Sequence, residues 1–209
     1  MTLFLRLVLV LLACVLPLSG LRAADPAAAP PSFQEGKDYV RLSTPVPSSV
    51  PDKIEVVELF SYRCPHCYQL ETVIQEWLRR KPENVVLVRI PVSGGFDPSY
   101  ESAARAYYAA EALGVLDKIH QPLFDAIHKE RRKLGTEDEL AGFFAEHGVN
   151  QDAFRKAYQS FQTETRLLRG DQLVAQRYRV RGVPAVFVNG RYEVLAQRMF
   201  EVVDFLLAR

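Results

Sequence analysis

Cysteine is scarce in this chain: Cys14, Cys64 and Cys67 are the only three in 209 residues. That density excludes a small scaffold stapled by disulfides. Charge of one sign is equally lacking, with 26 Lys and Arg against 25 Asp and Glu and a formal net charge of +1. No overall field therefore draws the chain to nucleic acid or to an anionic membrane. A hydrophobic share of 48% and the absence of a repeating glycine or heptad pattern exclude disorder, collagen and coiled coil. Apolar runs are short. The longest, Leu7 to Leu18, has Pro17 inside it and falls well below the roughly 20 residues that a membrane span needs.

That run has another use. Arg6 precedes it and small residues follow in SGLRAADPAAAP, the order of a secretory signal peptide over residues 1–23, cleaved near Ala23 or Ala24. Leu11-Leu12-Ala13-Cys14 also resembles a lipoprotein signal, although few residues precede Cys14 and Leu12 fits it poorly. Cleavage removes Arg6, Arg22 and Cys14, so the mature chain is close to neutral and keeps only Cys64 and Cys67. It keeps them in an oxidising compartment, where disulfides persist. Residues 24–52 read as a mobile leader, rich in Ala and Pro at its start, followed by a first strand at Tyr39 to Leu42.

Beyond the leader the pattern is an α/β domain cut open by helices. Lys53 to Phe60 and Val85 to Pro91 are strand-like runs, and between them Cys67, Leu70, Ile74, Trp77 and Leu78 recur at helical steps. Strand, helix and strand in residues 53–96 make a βαβ unit. Over 97–170 strand signals vanish and four or five helices are expected, one opened by the capping sequence at Thr136. Over 171–209 a helix to Tyr178 leads to a strand at Pro184 to Val188, an Asn189-Gly190 hairpin turn, a returning strand and a closing helix from Met199. The expected fold class is thus α/β with an inserted all-helical subdomain.

The chemistry sits in Cys64-Pro65-His66-Cys67, which follows a strand and opens a helix. Pro65 suits a first helical turn, where its missing N–H is not needed. Cysteines at i and i+3 share a helix face and lie within reach of a disulfide. The first stands among unpaired backbone N–H groups at the positive end of the helix dipole, which favours thiolate over thiol. Cys67, one turn in on the apolar stripe, is expected to be shielded. A merely stabilising disulfide would close a loop so short that it contributes only about 2 kcal/mol. A zinc site would need two further ligands, and His120, His128 and His147 lack paired spacing. Redox chemistry is the better reading, with no metal. A partly cationic His66 adds to the thiolate's stability, and whatever stabilises the reduced state makes the disulfide a stronger oxidant.

These residues resemble the DsbA family of periplasmic thiol:disulfide oxidoreductases. FSYRCPHCYQLE, VVELF before it, ALGVLDKIHQPLFDAIHKE in the helical stretch and RGVPAVFVNG after it carry the likeness. The resemblance implies a thioredoxin fold, Cys64 as the attacking residue and Cys67 as the resolving one. It implies reduced exported proteins as substrates, reoxidation by a DsbB-like quinone-linked membrane partner, no cofactor and a monomer. It also implies a cis-proline at Pro184, with the Val183 backbone free to pair with an extended substrate segment. Glu55 and Glu58 have opposite parity, so with helices on both faces at least one carboxylate is partly buried. Glu58, where the family places a buried acid, is read as a proton relay for Cys67. Glu71 also matches a family acid but is read as a solvated helix residue. Tyr62 and Tyr68 are candidates for an apolar docking groove, whereas Phe60 and Trp77 are core. One departure is a short Val194 to Met199 segment where the family usually carries more chain. The alternatives are a reductase or isomerase on the same fold, or a peptide-binding module with a vestigial CxxC.

Overall fold

The computed structural model describes residues 32–94 and 98–209. The expected signal peptide, the start of the leader and the first residue of the expected insertion, Asp97, lie outside the described residues. The elements run β1 (Tyr39–Arg41), β2 (Ile54–Phe60), α1 (Pro65–Leu78), β3 (Val85–Pro91), then α2 (Pro98–Ala112), α3 (Leu116–His128), α4 (Glu137–Glu146), α5 (Gln151–Tyr158) and α6 (Phe161–Gln172). A π-helical stretch, Leu173–Tyr178, leads to β4 (Ala185–Val188), β5 (Tyr192–Val194) and α7 (Met199–Leu207). Among the described residues no helix is long and apolar enough to cross a membrane.

The five strands form one sheet in the order β1-β5-β4-β2-β3, with β2 and β3 parallel and the other neighbours antiparallel. A parallel pair needs a crossover, and α1 supplies it. Strand β2, between β4 and β3, is buried along nearly its whole length, because both of its faces are covered. Val56 packs with Ile74, Trp77 and Phe200 of α1 and α7. Val57 and Leu59 point the other way, to Phe187 and to Tyr178 of the π-helical stretch. Alternation along β2 thus sends Glu58 to the α1 side and Glu55 to the other. Both carboxylates are buried, at 2% and 1% exposure for Glu55 and Glu58. Glu55 accepts hydrogen bonds from the backbone N–H and the hydroxyl of Ser49.

The helices start and stop for local reasons. Thr136 and Glu139 form the expected capping box at α4, and Asn150 and Ser160 cap α5 and α6. The turn between β4 and β5 has φ of 52° at Asn189 and 58° at Gly190, the left-handed pair that a tight hairpin needs. Gly190 is also pressed against the chain at Val46, where a Cβ would come within 1.9 Å of the carbonyl oxygen.

No break separates the helical stretch from the helix that follows it; Gly170 lies inside α6, which continues directly into Leu173–Tyr178. The glycine is there for packing rather than termination, since a Cβ would stand 2.7 Å from the Tyr108 hydroxyl on α2.

Candidate active site

Cys64 is the N-cap of α1, with extended backbone (φ −88°, ψ 117°) and Pro65 in the first turn. An N-cap side chain faces the free N–H groups of the next residues. Here that side chain is a sulfur. The Cys67 thiol donates to it, and the backbone N–H groups of Cys67 and His66 and the charge of His66 add to that. Together they outweigh burial and bring the Cys64 thiol down from an ordinary value of 9.0 to about 6. The ring of His66 is exposed and is the last of these causes rather than the first.

Cys67 stands in the opposite condition. It is fully buried on the stripe that also carries Leu70, Glu71, Ile74 and Trp77. The hydrogen bond to Cys64 and burial push its thiol far up, and the charges on Cys64 and Glu58 add to that. Both cysteines are free thiols here.

Opposite the motif stands the loop before β4. The Val183–Pro184 bond is cis, and the Val183 carbonyl oxygen lies 3.3 Å from Cys64 Sγ. A cavity of about 550 Å3 opens beside Cys64, walled by Val92, Tyr100, Val174, Val180 and Val183, with Asp171 and Arg181 at its polar margin. Tyr62 and Tyr68 are not in it. Tyr62 is a core residue, 1% exposed, with its hydroxyl 2.7 Å from His120 Nδ1. Tyr68 is half-buried and stacks on His128 of α3, with ring centroids 5.0 Å apart. The groove wall comes instead from Val174 and Ala175 of the π-helical stretch and from the Val180 to Val183 loop, of which only Val183 was expected at the site from the sequence.

Behind the motif is a buried charge cluster. The parallel register sets Glu58 directly opposite Arg89. Arg89 Nε donates to Glu58 Oε2 at 3.0 Å, and Arg89 Nη2 donates to the Glu71 carboxylate at 2.8 and 3.1 Å. Burial raises the Glu58 carboxyl to about 7 against the pull of Arg89, and the charge on Glu71 adds to the rise. Glu71 is not the solvated residue its charge suggested; it has no exposed surface. The signal for this was present, because Glu71 falls four residues after Cys67 and so shares its face. Its partners Arg89 and His120 come from other elements, and nothing local pointed to them.

Comparison with known proteins gives the chain a family. A family model described as "DSBA-like thioredoxin domain" matches residues 55–207. The thiol:disulfide interchange protein DsbA of Azotobacter vinelandii is 44% identical over 164 residues, covering 78% of this chain and 75% of that one. A crystal structure of Pseudomonas aeruginosa DsbA matches with a TM-score of 0.76 at 39% identity, covering 83% of this chain and 91% of that one. The oxidoreductase DsbA of Xylella fastidiosa matches with a TM-score of 0.77 at 33% identity, covering 87% and 98%.

Proposed function

The chain belongs to the DsbA-like thioredoxin family of thiol:disulfide interchange proteins, and on that premise we propose that it works as a dithiol oxidase on exported proteins in the periplasm. Residues 53–96 and 171–209 make the thioredoxin-like domain, and 97–170 the helical insertion. A substrate thiolate attacks Cys64 Sγ, the Cys64–Cys67 bond breaks, and Cys67 leaves as a thiolate that takes a proton from the Glu58 carboxyl. The substrate's second thiolate then attacks its own sulfur in the mixed disulfide, and Cys64 leaves as a stable thiolate. Two electrons pass from the substrate to the protein. A DsbB-like quinone-linked membrane oxidase then removes them. The exchange calls for no metal, organic cofactor or nucleic acid, and the chain acts as a monomer.

The observation that carries this reading is the opposite displacement of the two thiols, Cys64 down to about 6 and Cys67 far up. A thiol one unit below ambient pH favours the reduced state by about 1.4 kcal/mol, or about 30 mV for two electrons. The reduced pair is therefore the comfortable state, and the disulfide is the one that is given away. His66 supplies the remaining charge. The Val183 backbone beside Cys64 is where an extended substrate segment pairs, next to Pro184, and the apolar groove takes a neighbouring side chain.

The test is oxidation of a reduced two-cysteine peptide by the disulfide form. Stoichiometric oxidation by the full chain, lost in Cys64→Ser, is the expected result. Reduction of a disulfide peptide in preference to oxidation, or peptide binding without exchange, would overturn the proposal.

A further inference from the structure

The exchange just described uses one carboxyl of the buried cluster, but the cluster holds two. Glu58 and Glu71 share the single guanidinium of Arg89. Two ionised carboxylates around one cation would leave an uncompensated charge in the interior, which costs enough that a group takes up a proton instead. The cluster therefore carries one exchangeable proton. What matters for the chemistry is which carboxyl holds it, and Glu58 is the one whose charge bears on Cys67.

The two carboxyls are not equivalent. Glu71 receives Arg89, then Gln75 Nε2 at 2.6 Å on Oε1, then His120 Nε2 at 3.4 Å on Oε2. A carboxylate provided with donors is stabilised as the anion. His120 is itself held in place, 6% exposed, between Glu71 and the Tyr62 hydroxyl at 2.7 Å. A carboxylate only accepts and a phenol donates as well as accepts, so the neutral ring carries its hydrogen on Nε2 toward Glu71 and takes the Tyr62 hydrogen on Nδ1. Glu71 from α1, Tyr62 from the turn after β2, Arg89 from β3, Tyr107 from α2 and Asp117 from α3 are the charged or titratable groups around the ring. Burial pushes the ring toward its neutral form, and Arg89 adds to that against the pull of Glu71. Burial also raises Glu71, but the His120 hydrogen bond and the Arg89 charge outweigh it and hold Glu71 below its usual range.

We propose that His120 is a positioning residue for the exchange reaction: by donating to Glu71 it fixes Glu71 as the charged partner of Arg89 and leaves the cluster's one proton on Glu58, where Cys67 needs it. The inference rests on the reading of Glu58 as proton relay. No electrons move in this step. The O–H bond of Glu58 breaks, the S–H bond of Cys67 forms, and water later returns a proton to Glu58.

The test is the pH profile, from pH 5 to 9, of single-turnover reduction of the disulfide form by a two-cysteine peptide. His120→Leu, which removes the donor, is expected to lower the pH at which the Glu58-dependent limb falls by about one unit, with about a fivefold loss of rate at pH 7 that approaches tenfold toward pH 9. His120→Gln keeps a neutral N–H donor and restores the wild-type profile. Tyr62→Phe, which frees the tautomer, shifts the limb in the same direction by less. Glu58→Gln runs in parallel. If it leaves the profile unchanged, the relay reading falls and this inference with it. If it changes the profile while folded His120→Leu does not, only this inference falls. Should His120→Leu fail to fold, carboxyl carbon NMR of the wild-type chain decides: Glu58 titrating near neutrality with Glu71 ionised throughout supports the proposal, and the reverse order overturns it.

Discussion

Cys64 and Cys67 are three residues apart on one helix, yet the ground on either side of them differs in kind. On the outer side, the start of α1 offers hydrogen-bond donors from a thiol and two backbone groups, and Cys64 ends near 6. On the inner side, Cys67 is tied as a donor to Cys64 and has no exposed surface, so its thiol is pushed far up. The outer region works by presenting dipoles to an anion. The inner region works by withholding water from one. A single helix turn thereby makes one sulfur a good leaving group and the other a poor one, and in the mechanism we propose Glu58 of the sheet beneath is the proton source that the poor one requires.

That contrast breaks most severely from the inner side. Arg89→Met leaves Glu58 and Glu71 buried without their cation and is expected to cost about 3–5 kcal/mol at neutral pH. Glu58, already raised, would climb further and Glu71 would rise above its unfolded value, so stability falls as pH rises and the penalty shrinks toward acid. Urea unfolding at pH 5 and pH 8 checks both the size and the sign.

From the outer side, Cys67→Ala removes the donor that lowers Cys64 most. The thiolate absorbance midpoint of Cys64 is expected to climb by about one unit or more, equivalent to about 1.4 kcal/mol. His66→Ala removes the smallest of those causes and should move the midpoint by less than about half a unit. Equal shifts in the two variants would reverse the order of causes.

A third measurement takes the two regions together. Cys64 is depressed in the folded dithiol form, from 9.0 to about 6, so its contribution to stability is complete above pH 9 and disappears as pH falls through 6. At pH 7 that contribution is about 1.4 kcal/mol. The disulfide form has no such group. The melting temperature of the dithiol form minus that of the disulfide form should therefore grow by about 3–6 °C between pH 5 and pH 7. A flat difference would mean that Cys64 keeps its proton.

The legible parts of this molecule are the short-range ones. Pro65 at the start of α1, the Asn189-Gly190 turn and the Thr136 cap each follow from conformational preferences of a few adjacent residues. Parity along β2 was enough to expect a buried acid. It could not say that both would be buried, nor that Glu55 would be satisfied by Ser49 while Glu58 would share an arginine. The π-helical wall of the groove was illegible because no local pattern marks Leu173–Tyr178 as different from the helix it continues. Tyr62 was a groove candidate for a related reason: it flanks the cysteine motif, and the partner that draws it inward, His120, is 58 residues away.

The order of residues alone was sufficient for the cysteine pair, a cysteine at a helix start and the α/β frame interrupted by helices, because each depends on interactions within about one turn of backbone. Packing had to settle the rest. The register that sets Arg89 against Glu58, the approach of α3 that brings His120 to Glu71, and the carbonyl of Val183 beside Cys64 all join segments distant in the chain. Such contacts form only when whole elements dock, and a buried charge is stable only where docking has brought it a partner.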